Sequence, residues 1–202
     1  MKHNKLKLTI VNTDTNKIAE IHFPVTTPTR QKYFDSLELT NKNFHILKSN
    51  FHLPAISEAI MSPNSDLNDI NFFAYLYNDE MDDNARAVFD LLIESKYAKV
   101  ANSSELLTLL NNLDFYYFLK NVRSPSDVAR FYLSFMDNPA VNKKKAMLTD
   151  ADILHLGRDL VRAEEGMFYK DYYIGIYRTL KKMEFYPHRI KVPEQFRIVD
   201  SK

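Results

Sequence analysis

Ser124-Pro125-Ser126-Asp127-Val128-Ala129-Arg130-Phe131-Tyr132-Leu133-Ser134-Phe135 carries the clearest helix start in the chain. Ser124 is placed to cap, and proline suits the first helical position because its missing N–H is not needed there. Asp127 stands third, where a carboxylate favours the exposed N–H groups of the first turn. Val128, Phe131, Tyr132 and Phe135 then recur at three and four, one apolar stripe reaching toward Asn138-Pro139. Just before this helix, Asp114-Phe115-Tyr116-Tyr117-Phe118-Leu119 has the short aromatic composition of a buried strand. Just after it, Thr149-Asp150-Ala151-Asp152 opens a second helix, with Ile153, Leu156 and Leu160 expected inside. Lys143-Lys144-Lys145 reads as an exposed loop between the two, and Tyr172-Tyr173-Ile174-Gly175-Ile176-Tyr177 as strand. Strand, helix, helix, strand sets the class as mixed α+β.

Upstream, the helical period dominates from Leu67 to Asn78, Asp82 to Ser95 and Ser104 to Asn112. Asn64-Ser65-Asp66 supplies a start signal, and Pro54 and Pro63 punctuate the stretch before it. Further back, Leu6–Val11 and Ala19–Phe23 alternate as strands around the polar turn Asn12–Asn16, and Asn43–Lys48 is a third strand. Thr27-Pro28 opens a short helix toward Leu39. The chain thus divides into a ββαβ-like N-terminal subdomain (1–64), an acidic helical subdomain (65–112) and a C-terminal α+β subdomain with a basic-aromatic tail (113–202).

Composition narrows the functions open to this fold. The 202 residues are 45% hydrophobic and 13% aromatic, enough for a substantial core. No stretch free of Asp, Glu, Lys and Arg exceeds nine residues, against the roughly 18 apolar residues of a membrane span. Met1-Lys2-His3-Asn4-Lys5 is not followed by the apolar core of a secretory signal, so an intracellular protein is expected. With no cysteine, thiolate nucleophiles, disulfides and Cys-ligated zinc are excluded. The only glycines are Gly157, Gly166 and Gly175, so neither G-x-G-x-x-G nor G-x-x-x-x-G-K-[ST] can be written.

The net charge of +1 hides a segregated pattern: residues 1–50 carry +4, residues 51–140 carry −7 and residues 141–202 carry +4. The densest acidic stretch is Asp79, Glu80, Asp82, Asp83, Asp90 and Glu94, answered before Lys96 by Arg86 alone. On a helix, Asp83, Arg86, Asp90 and Glu94 share one face, and Ala85, Val88, Phe89 and Leu92 form the opposite, buried stripe. The carboxylates therefore project together toward solvent or a partner. The same pattern also describes a solvated helix face.

Two other constellations bear on function. His155 lies between Asp152 and Asp159 on one helix face, a geometry that can orient a general base and that an ion-paired helix also produces; no nucleophile accompanies it. The six scattered histidines contain no H-E-x-x-H, and no metal site is expected. Near the C-terminus, Arg178, Lys181, Lys182, Arg189 and Lys191 are interleaved with Tyr177, Phe185, Tyr186 and Phe196. Basic groups can neutralise phosphates and aromatics can stack on unpaired bases; half-buried strands with solvated lysines give the same pattern.

From about Ala19 to Tyr177 the chain resembles ArdA-type antirestriction proteins of conjugative elements and phages. The resemblance is carried by Phe23-Pro24 after a strand, Leu53-Pro54 after another, and the helix opening Leu67-Asn68-Asp69-Ile70-Asn71. It continues in Asp127-Val128-Ala129-Arg130-Phe131-Tyr132, similar to the family's D-V-A-R-Y-Y, and Leu156-Gly157-Arg158-Asp159-Leu160, similar to its Y-G-R-D-L. The resemblance implies an elongated, three-part, typically dimeric protein of the bacterial cytoplasm, without cofactor or catalytic activity. Its acidic surface would imitate bent duplex DNA in the groove of a type I restriction-modification enzyme. This chain departs from the family in being acidic only in its middle. That departure keeps open a CRISPR nuclease complex as target, or a nucleic-acid-binding accessory role through the basic C-terminal segment. In the motifs themselves, Arg130 and the Arg158-Asp159 pair are expected to make internal ion pairs, and Gly157 to permit close packing.

Overall fold

The computed structural model describes residues 5–26, 34, 36–136, 139–177 and 191–199, with backbone alone for 139–141. The class is α+β: seven α-helices and two three-stranded antiparallel sheets among the described residues. They group into two compact units, Met1–Leu113 with Tyr186–Lys202, and Asp114–Phe185. Among the described residues, 191–199 group with unit 1.

In unit 1, β1 (Leu6–Asn12) lies between β2 (Ile18–Phe23) and β3 (Phe44–Ser49). Leu6, Leu8, Ile10 and Asn12 point inward and Lys7, Thr9 and Val11 outward, the period of two that the sequence shows. Register runs from Leu6 opposite Phe23 to Val11 opposite Ile18. Buried Asn12 shapes the intervening turn: its Oδ1 accepts from the backbone of Asp14 and Thr15, and its Nδ2 donates to the carbonyl of Leu37 at 2.7 Å. The helix expected from Thr27-Pro28 lies mostly outside the described residues.

Four helices follow: α1 (Pro54–Met61), α2 (Leu67–Tyr75), α3 (Asp83–Glu94) and α4 (Ser103–Asn111). Pro54, read as punctuation, instead sits in the first turn of α1, where proline is tolerated. Ile56 and Ile60 of α1, Leu67, Ile70 and Phe73 of α2, Phe89 and Leu92 of α3 and Leu106 of α4 are all fully buried, as are Leu8, Ile10, Ile21 and Phe23 of the sheet. α1 packs on β3 and α2 on β2, so the N-terminal sheet and the helices form one body, and residue 64 falls inside it. The helix expected to run to Asn78 ends at Tyr75 and continues as a wider π-helical turn, Leu76–Glu80.

Unit 2 places β6 (Tyr172–Ile176) between β4 (Tyr116–Lys120) and β5 (Met167–Tyr169), with α5 (Pro125–Phe135), α6 (Pro139–Lys145) and α7 (Asp150–Ala163). Both expected caps form: Ser124 accepts from Asp127 N, and Thr149 and Asp152 make a reciprocal capping box. The lysines expected in a loop occupy the last turn of α6, where cations favour the exposed carbonyls. Leu156, expected inside, is 37% exposed, while Leu160 and Val161 pack on Val122, Val128 and Tyr173.

A Cβ on Gly157 would lie 1.8 Å from the Pro125 carbonyl oxygen, so glycine lets α7 approach α5. Gly166 and Gly175 leave room for the rings of Tyr173 and Tyr117. Those tyrosines, with Tyr132, donate to Glu164, which is 2% exposed at the C-terminal end of α7. The Tyr132 and Tyr173 bonds are 2.6 and 2.7 Å. No spacing in the sequence announces this cluster, because its members are brought together from β4, α5 and β6.

Candidate functional site

The acidic stretch folds as one edge of unit 1, made of the π-turn and α3. Asp82 caps α3 by accepting from Ala85 N at 2.7 Å, and Asp83 begins its first turn. Phe89, Leu92 and Ile93 are buried, with Ala85 and Val88 half-buried, close to the expected stripe. Asp79, Glu80, Asp82, Asp83 and Glu94 are exposed.

Arg86 answers one acid of this edge, Asp83, and otherwise turns its donors to the backbone. Its side chain is only 12% exposed; the guanidinium donates to the carbonyls of Tyr77 at 3.0 Å and Asn78 at 3.4 Å, and pairs with Asp83 at 2.7 Å. Tyr77 and Asn78 stand near the end of the π-turn, where carbonyls run out of intrahelical donors, and Arg86 supplies donors to them. The one cation of the stretch thus ties the π-turn to α3.

Asp90 departs from the sequence expectation. It is 23% exposed, accepts from the Tyr77 hydroxyl at 2.9 Å and meets His52 Nε2 at 3.0 Å. Burial first, and then the Asp90 charge and hydrogen bond, push the Tyr77 phenol well above its ordinary range. The Phe51 ring stacks on His52 at 4.8 Å and meets Tyr77 edge-on at 5.0 Å. Asp90 is therefore an internal acceptor that joins the β3–α1 loop, the π-turn and α3, not a carboxylate offered to a partner. Helix spacing places Asp90 by face alone, while its partners come from 38 and 13 residues away.

Glu80 accepts from the Tyr75 hydroxyl, and that bond is the first cause of the raised Tyr75 phenol. Of the six acids of this stretch, Asp90 is partly buried and bonded within unit 1, and the other five are exposed.

The basic C-terminal segment is placed only in part. Arg178, Lys181, Lys182 and Arg189 lie outside the described residues, and Lys191 is exposed. Phe196 is not free to stack on a base: its ring centroid is 5.0 Å from that of Phe72 and 4.3 Å from that of Tyr75. Val192, Ile198 and Val199 beside it are buried.

His155 is exposed, and its neighbour Asp152 is bound to Thr149 through both backbone N–H at 2.9 Å and hydroxyl at 2.6 Å. The Thr149 hydroxyl holds the Asp152 carboxyl below its usual range. That carboxylate serves the helix start. Arg130 pairs with Asp127 and Asp150 as expected, whereas Asp159 pairs with Arg162 at 3.9 Å and Arg158 is exposed. No group of three or more His, Cys, Asp or Glu residues able to hold a metal ion occurs among the described residues, and no described helix is long and apolar enough to cross a membrane.

Searches of family models, of curated proteins and of solved structures find no match to this chain.

Proposed function

We propose that this chain is a non-enzymatic anti-defence inhibitor that binds a bacterial nuclease complex, a type I restriction-modification enzyme first, through the acidic edge of unit 1. The observation that carries this reading is the set of five exposed carboxylates, Asp79, Glu80, Asp82, Asp83 and Glu94, of which the single intervening arginine, Arg86, pairs with Asp83. A cleft built for duplex DNA presents cations to a charge every ~1.7 Å of helix axis, and α3 extends for about 18 Å at ~1.5 Å per residue. Carboxylates along such an edge meet those cations as phosphates would, giving fast, salt-sensitive association. The resemblance of the motif order to that of ArdA-type proteins is what selects the target class.

The test is inhibition in a purified system. Cleavage of a target duplex by a type I restriction-modification complex, and separately by a CRISPR nuclease, is measured with increasing amounts of the chain. Inhibition of the first at low ionic strength, weakening with salt, is the expected result. Inhibition of the second alone reassigns the target. Inhibition of neither, with direct retention of labelled nucleic acid, replaces this proposal with the accessory role of the C-terminal segment.

A further inference from the structure

The stretch from Val192 to Val199 runs back over α2 as a strap. Asn68, buried on α2, accepts from Ile198 N at 2.6 Å and Val199 N at 3.0 Å, and donates to the Val199 carbonyl at 3.0 Å. Asn71, one turn on and also buried, donates to the Phe196 carbonyl at 2.9 Å. Two buried amides thus satisfy the strap's backbone as a neighbouring strand would, and fix Phe196 against Phe72 and Tyr75.

Tyr75 is the last residue of α2, and the π-turn begins at Leu76. Its ring rests on Phe196 while its hydroxyl holds Glu80. A continuous line of contacts therefore runs from the strap through Phe196 and Tyr75 to the carboxylate of the π-turn. Arg86 and Asp90 secure the same turn to α3.

We infer that the strap is a positioning element of the acidic edge, with Phe196 as a positioning residue that acts on the π-turn through Tyr75. The consequence for partner binding rests on the reading of that edge given above. Charges already fixed in place lose less side-chain freedom when a partner binds, so a displaced Tyr75 costs affinity without removing any carboxylate.

The experiment uses the full chain with Phe196→Ala, Phe196→Tyr and Tyr75→Phe. Amide exchange is read at residues 76–81 and, as reference, at Leu8, Ile10 and Ile21, together with inhibition of the type I complex. Phe196→Ala is expected to speed exchange at 76–81 by about tenfold or more while the reference amides hold, and to weaken inhibition about tenfold. Phe196→Tyr, which keeps the ring, restores both. Unchanged exchange at 76–81, or a uniform rise that Phe196→Tyr also shows, overturns the inference. Should Phe196→Ala fail to fold, Tyr75→Phe decides, since it removes only the hydroxyl that holds Glu80: faster exchange at 79–81 supports the inference and unchanged exchange overturns it. Faster exchange in these variants with full inhibition leaves the strap's role standing and removes the acidic edge as the partner surface.

Discussion

Replacing Glu164 by alanine tests the organisation of unit 2 most severely. The wild-type carboxylate is buried and accepts hydroxyls from Tyr117, Tyr132 and Tyr173. Without it, Tyr117 and Tyr132 keep each other at 3.1 Å, and the fully buried Tyr173 hydroxyl keeps only Tyr117 beside it, so the three hydroxyls share too few acceptors. Hydrogen bonds to a charged group contribute about 1.5–3 kcal/mol each, and an orphaned buried hydroxyl costs about 1–3 kcal/mol. Return of the carboxylate to water in the unfolded chain offsets part of this, so the expected loss is about 3–5 kcal/mol. Unit 2, Asp114–Phe185, would by size have about 4–11 kcal/mol to lose. Urea unfolding followed by the near-ultraviolet circular dichroism of the tyrosines reads the change, and Tyr132→Phe, which deletes one donor to Glu164, should cost about 1.5–3 kcal/mol. A loss below about 1 kcal/mol for Glu164→Ala would refute the reasoning, because the site would then be accessible to water.

Burial and the bonds to Asp90 and Glu164 raise the phenols of Tyr77, Tyr117 and Tyr173, so each ionises less readily folded than unfolded. Their contribution to stability is complete below about pH 10, the unfolded phenol value, and is lost as pH rises above it. In an alkaline titration, part of the phenolate absorbance of the twelve tyrosines should appear only together with loss of circular dichroism; smooth ionisation of all twelve near pH 10 in a folded chain contradicts this. Gly157→Ala forces a Cβ onto the Pro125 carbonyl, and should destabilise unit 2 by about 2 kcal/mol net of the ~1 kcal/mol that alanine gains in helix propensity. A stabilised Gly157→Ala in urea unfolding would show that the helices do not meet there.

The short-range signals of the sequence are the legible ones. The caps at Ser124 and Thr149, the alternation of β1 and the stripe of α3 all depend on residues within one or two turns of each other, and each formed. Pro54 misled because proline marks both a break and a first helical turn, and the residue before it, Leu53, gives no side-chain cap to distinguish them. The extension of α2 was overestimated because Leu76 and Tyr77 continue its apolar period, although the backbone there widens into the π-turn. The roles of Asp90, Glu164, Asn68 and Asn71 were invisible for a different reason. Each is a polar side chain on a helix whose partners arrive from distant segments, and periodicity carries no record of such pairings. The candidate edge was legible as a charge pattern; which of its charges face solvent was not.

The most direct measurement compares the chain with a variant carrying Asp79→Asn, Glu80→Gln, Asp82→Asn and Glu94→Gln. Asparagine still caps α3, the carbonyl oxygen of glutamine at position 80 still accepts from the Tyr75 hydroxyl, and Asp90 is left in place to hold Tyr77 and His52, so the edge loses charge and not structure. Displacement of a labelled recognition duplex from a type I restriction-modification complex is followed at several salt concentrations. The account predicts displacement by the wild-type chain, and a loss of about a hundredfold or more in the variant, because close interfacial charge pairs couple by ~1.5 kcal/mol or more each. Equal displacement by the folded variant would contradict it.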